Sequence, residues 1–194
     1  MKLYKVLNAD MTCCNGGNAT WKLGKWMPVI EGELEPCENG YHLCRREDLV
    51  EWLGETIWEA EYRGEIVESD NKVVVREARV IRKLDTWNKR TARLFACDCA
   101  EQSLQYYENE YPDDKRPREA IETARKYANG EATQNELDAA RDAVGAAAWA
   151  AAWAAARAAA RDAVGAAAWA AAWAAAWAAA RKWQTDRLFD YLEA

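Results

Sequence analysis

No phosphate-binding loop of the form G-x-x-x-x-G-K-[ST], no G-x-S-x-G elbow and no G-x-G-x-x-G turn occurs in the 194-residue chain. Each absence removes a function class: P-loop nucleotide hydrolysis, serine hydrolysis on that elbow, and dinucleotide binding on a Rossmann turn. Net positive charge is lacking too. The formal charge is −6, whereas general grip on nucleic-acid phosphates needs a basic field. Nucleic acid is therefore not an expected partner. A local basic patch is conceivable from Lys89, Arg90, Arg93, Lys115, Arg116 and Arg118, diluted by Asp113, Asp114 and Glu119. No apolar core follows the opening MKLYKVLNAD, so no export signal is expected. The six cysteines then read as reduced thiols of a cytoplasm.

Histidine is nearly absent. His42 is the single one, in NGYHLC. With Cys37 and Cys44 it spells C-x4-H-x-C, which Cys13 and Cys14 would complete. Zinc sites prefer ligands two to four residues apart within each pair, so no metal and no cofactor is expected, and His42 reads as a turn residue beside a strand. Cys97-x-Cys99 on a helix points its thiols to different faces and is no redox pair. Glu59, Glu61, Glu65, Glu68 and Asp70 form an acidic run. A paired-carboxylate hydrolase has no supporting histidine or metal motif there, and solvated strand faces explain the run better.

What is present changes character near Asp85. The first part is read as α+β, a small and mostly antiparallel sheet domain over 1–85. KLYKVL is a strand, PCENGYHLC an Asn-Gly turn leading into an apolar stretch, and REDLVEWLGE a short helix ending near Gly54. TIWEAEYRGEIV and KVVVREARVIRKL are strands joined tightly through ESDN. The rest, 86–194, is read as an alanine- and tryptophan-rich, all-helical bundle. Trp87, Leu94, Cys97, Leu104 and Tyr107 make one stripe. Pro112 ends that segment, Pro117 opens the next, Asn129-Gly130 closes it, and Thr133 with Glu136 makes a capping box.

A duplication follows. Residues 141–160 return as 161–180 with one change, Arg157 to Trp177. Tryptophan recurs every four residues among alanines. A step of four over-rotates an α-helix by roughly 40°, so twenty residues turn by about 200° and a straight helix sends its two clusters to opposite sides. Either the chain breaks around RDAVG, where Asp162 can cap and Gly165 weakens the helix, or the stripe winds around one continuous helix. The break is favoured. The rings are expected to fill gaps between closely approaching helices. Ala163–Ala180 carries no charge over eighteen residues, but thirteen are alanine, too poor an apolar payload for a membrane span.

TARLFACDCAEQSLQYY, then DDKRPREAIETARKYANGEATQNELDAARDAV, the Ala-Trp-Arg tract and RKWQTDRLFDYL resemble a family of helical immunity proteins of bacteria and their phages, over about residues 87–194. YKVLN and GYHLC look like an uncharacterised small domain met in phage-encoded proteins. The resemblance implies a protein that binds and neutralises a partner, a toxin or a host-defence component, and it brings no catalytic residues. Trp153, Arg157, Trp177 and Arg181 are the expected partner contacts, with the acidic residues of the first part beside them. A nucleotide-sequestering protein is the alternative, with Trp21, Lys22, Lys25, Trp26 and His42 as ligand contacts. A transferase-like enzyme with Tyr4, His42 and Glu77 near one cleft is a weaker one.

Overall fold

The computed structural model describes residues 1–140, 142 and 166–194, with backbone alone over 166–174. The chain divides into two compact units: Met1–Asn88 with Thr185–Ala194, and Lys89–Gln184. The α+β class expected from the sequence is what the chain adopts.

The first unit is built on four antiparallel strands: β1 (Leu3–Leu7), β2 (Tyr41–Leu43), β3 (Thr56–Ser69) and β4 (Lys72–Lys83), in the order β1-β3-β4-β2. β3 and β4 form a long hairpin through Asp70 and Asn71, the tight connection read in ESDN. Alternation along β1 puts Leu3 and Leu7, both fully buried, on the core face with Val73, Val75, Ala78 and Val80 of β4. The row then curls. Tyr4 and Cys44 exchange two backbone hydrogen bonds of 2.9 and 2.8 Å, so the outermost strands meet at one point and diverge beyond it. Where β2 ends, the segment 24–30 takes over the edge of β4, with Gly24 N–H donating to Val80 O and Met27 N–H to Ala78 O. Gly40 enters β2 at a φ of +135°, and a Cβ there would lie 2.3 Å from Val74 Cγ1. Only glycine fits.

REDLVEWLGE forms a shorter element than a helix reading gives, a 3-10 turn over Leu49–Trp52. Asp48 is pulled back instead into a fork with Arg45 (2.8 Å). The acidic run is solvent-exposed as expected at Glu61, Glu65, Glu68 and Asp70, and Glu59 is the exception. Glu61 and Glu65 pair with Arg79 and Arg76 across the hairpin, and Glu59 is buried between Arg82 and Lys2, which hold its carboxyl down at about pH 2. The acidic contact surface expected on this unit is thus largely matched within it.

The outer face of the sheet is covered by the end of the chain. Thr185, Leu188, Phe189 and Leu192 are buried at helical spacings of three, one and three. Phe189 meets Tyr4 edge-on at 5.4 Å, Arg46 lies 3.8 Å over the same ring, and Thr86 Oγ1 donates to Leu192 O. These ten residues, grouped by sequence with the helices, pack in the sheet unit.

The second unit holds α1 (Lys89–Glu110), α2 (Arg116–Ala128), the start of α3 (residues 134–140) and most of α4 (Ala166–Leu192). Phe95, Cys97, Leu104 and Tyr107 line the buried side of α1, while Leu94 is only half-buried. Trp87 sits before the helix, in the sheet unit, donating its indole N–H to Gly54 O. Pro117 occupies the first turn of α2, and Gly130 follows at φ +79°. The capping box forms as read: Glu136 N–H donates to Thr133 Oγ1 at 3.3 Å and Thr133 N–H to Glu136 Oε2 at 2.7 Å. The question of a break around RDAVG lies outside the described residues. Among the described residues no helix is long and apolar enough to cross a membrane.

Candidate functional site

Two places collect the residues singled out by sequence. The first is a cavity of about 510 Å³ in the sheet unit, opening where β1 and β2 diverge and roofed by the loop 13–19. Its polar heart is a lysine that sequence reasoning passed over. Lys5 alternates with Leu3 and Leu7 on the core-facing row, so the strand period carries it inward. Its ammonium donates to His42 O at 3.0 Å and lies 5.2 Å from the centre of the Trp21 ring. Burial lowers its pKa, opposed by the thiols of Cys13, Cys44 and Cys14. A second amine, Lys72, lies 4.9 Å over Trp52 and 3.0 Å from Cys37 Sγ.

His42 joins these two. Its Nε2 accepts the Cys37 backbone N–H at 2.8 Å, so that nitrogen carries no proton and the ring is neutral. Burial, then the charges of Lys5 and Lys72, push its pKa down to about 4. Cys44 and Cys14 are poor nucleophiles, since burial drives Cys44 up to about 12 and raises Cys14 as well. All six cysteines are free. Among the described residues no group of three or more His, Cys, Asp and Glu is arranged to hold a metal ion. The chemistry on offer is recognition of an acceptor-rich, negatively charged group by amines held on indole faces.

Of the five ligand contacts expected from sequence, the cavity gathers two, Trp21 and His42. Trp21 is buried as a wall against Tyr41 (5.5 Å between ring centres), and its indole N–H has no acceptor among the described residues. Lys22 and Lys25 are exposed and do not line it. Trp26 is held elsewhere, between Arg63 (3.9 Å) and Arg79 (4.6 Å) on the hairpin. Tyr4 and Glu77, proposed to share a cleft with His42, are not among the walls, because Tyr4 turns to the outer face against Phe189. Lys5 was legible in principle: a cation at the centre of an L-x-K-x-L alternation is a polar group on an apolar face.

The second place is the described end of the tryptophan tract. Trp153 and Arg157 lie outside the described residues. Trp177 and Arg181 stand one helical step of four apart on α4. Trp177 is 61% exposed, and every residue from 175 to 180 is exposed with it. The expectation that such rings fill gaps between helices therefore fails for Trp177: its alanine neighbours provide no apolar wall to bury it. The basic patch read around Lys115 is discharged locally, Arg116 by Asp114 and Arg118 by Glu108, both at 2.6 Å.

Residues 1–91 match the family model for a domain of unknown function, DUF7666, which takes in the strands and the cavity. No curated protein and no solved structure matches the chain. Residues 82–183, from the end of β4 through the helical unit, match the model described as Imm-5 like putative immunity protein, and the chain belongs to that family.

Proposed function

We propose that the chain binds and neutralises a protein partner, a toxin or a component of host defence, by occlusion and without catalysing a reaction. Membership of an immunity-protein family supports the role. The observation that carries it to particular residues is the exposed indole of Trp177, displayed on an alanine surface of α4. A solvent-facing tryptophan with no surrounding core is costly in isolation and productive when a partner covers it. Arg181 follows four residues on along the same helix, and Trp153 and Arg157 repeat that Trp-x3-Arg spacing in the first copy of the sequence. These four are the contact residues of this reading. The setting is phage–host or toxin–immunity conflict.

The test is co-expression with a panel of growth-arresting toxins, those of any adjoining genes included, followed by calorimetry of each purified pair. Rescue of growth is expected, and Trp177→Ala should weaken binding by about 2 kcal/mol, roughly 30-fold in Kd. Rescue and binding untouched by Trp177→Ala and Arg181→Ala would remove the tract from the interface. No rescue and no binding would remove the reading itself. A second reading, sequestration of a nucleotide signal, draws on Trp21 and His42 sharing one cavity.

A further inference from the structure

We infer that the cavity between β1 and β2 binds a small phosphate-bearing molecule through the paired ammonium groups of Lys5 and Lys72. The inference rests on the second reading, whose cavity it shares, and it uses residues other than the proposed protein-contact face, so it and the protein-binding reading can fail separately.

The first argument is charge. Lys5 projects from a row whose other members, Leu3 and Leu7, are fully buried. A lysine in such a row is expensive unless something compensates it. Among the described residues no carboxylate lies within ion-pairing distance of Lys5 or of Lys72. Glu38, the single carboxylate among the walls, is itself exposed. Lys5 has instead a carbonyl and an indole face, and Lys72 a thiol and an indole face. Both act on His42, which stays neutral between them. Two ammonium groups lining one cavity, with no carboxylate partner among the described residues, make a receptor for an external anion.

The second argument is shape and donor type. A phosphate dianion offers several acceptor oxygens to separate donors, which suits two amines approaching from different strands. The roofing loop adds the side-chain amides of Asn15 and Asn18, with Gly16 and Gly17 between them carrying no side chain into the opening. At about 510 Å³ the cavity is larger than a bare phosphate requires, and Trp21, Tyr41 and Trp52 give it aromatic walls. An organic portion attached to the phosphate has somewhere to lie.

His42 provides the readout, because the chain has no other histidine. Its ring-proton resonances are followed against pH on the full chain. The series uses low salt, then added inorganic phosphate, adenosine monophosphate, acetate, or sodium chloride at matched ionic strength. Without phosphate the midpoint is expected well below the usual histidine range. Phosphate should raise it saturably by about one pH unit as it offsets the two amines, and adenosine monophosphate should do so at equal or lower concentration. Lys5→Met and Lys72→Met should each begin with a raised midpoint and lose the response. Circular dichroism verifies that each is folded, and Lys72, at the rim, is the variant less able to disturb the core. The proposal is overturned if sodium chloride or acetate moves His42 as far as phosphate does, if adenosine monophosphate is excluded where phosphate enters, or if either folded variant responds like the wild type.

Discussion

The two units treat their charges differently. In the helical unit three arginines are matched: Arg125 bridges Asp98 and Glu101, Arg118 meets Glu108, and Arg116 meets Asp114. In the sheet unit the strand faces are matched in the same way, but the cavity is not. Lys5 and Lys72 face it with indoles, a carbonyl and a thiol for company. A matched charge is explained by the fold it holds, whereas an unmatched, half-buried one raises the question of what completes it. The family names assigned to the two parts follow a similar divide, one carrying a role and the other none.

The largest effect should come from breaking a match. Asp98 is buried on α1, with 8% of its side chain exposed, and Arg125 of α2 reaches it at 2.6 Å. Arg125→Met should cost about 2 to 4 kcal/mol in urea unfolding, because it removes the cation from a desolvated carboxylate. Arg118→Met is the control. Glu108 and Arg118 are 23% and 44% exposed, and losing that pair should cost no more than about 1 kcal/mol. Equal losses for the two variants would break the distinction between a clamp and a surface pair.

A comparable effect is expected from acid acting on the sheet unit, in two windows. The folded chain keeps His42 neutral down to about pH 4, while unfolded histidine takes up its proton near 6.5. Between those values the unfolded chain binds more protons, so stability falls as pH falls, by about 2 to 3 kcal/mol across the window. Glu59 works in a lower one. Its folded carboxyl titrates at about 2 rather than 4.5, so the stability it supplies is complete above 4.5 and is lost as pH drops toward 2. His42→Gln, which keeps an acceptor for the Cys37 N–H, should flatten the upper window and leave the lower one. An unchanged upper slope would mean that His42 is not the group that titrates in that window.

How far these features could be read without coordinates depends on how local their causes are. The capping box at Thr133 and Glu136, the first-turn Pro117 and the stop at Gly130 act within a single turn of chain, and the helices begin and end accordingly. The strand pair around ESDN is likewise a local signal. Leu188, Phe189 and Leu192 are different: their period announces a buried face, but nothing nearby says that Tyr4, far along the chain, is what covers it. The cavity suffered the same way. Trp21 and His42 stood out as an aromatic and a lone imidazole, while Lys5 and Lys72 looked like ordinary strand lysines until the curl at Tyr4 and Cys44 opened a gap beside them. Lys22, Lys25 and Trp26 followed Trp21 in sequence but not in space, since the segment 24–30 is drawn off along the edge of β4.

The smallest effect is the one that separates stability from function. Lys5→Met replaces a cation on an apolar row with a flexible apolar chain of similar length. The amine loses a hydrogen bond to His42 O, but the desolvated charge goes with it, and the second term is the larger. In phosphate-free buffer at pH 7 the variant should gain about 1 kcal/mol and melt a few degrees higher. The wild type should close that gap as pH climbs toward 10.5, where the unfolded lysine also sheds its proton and the penalty for burying the charge disappears. A variant that melts lower at every pH would make Lys5 a brace between β1 and β2, and the unmatched charge would then belong to the architecture of the sheet.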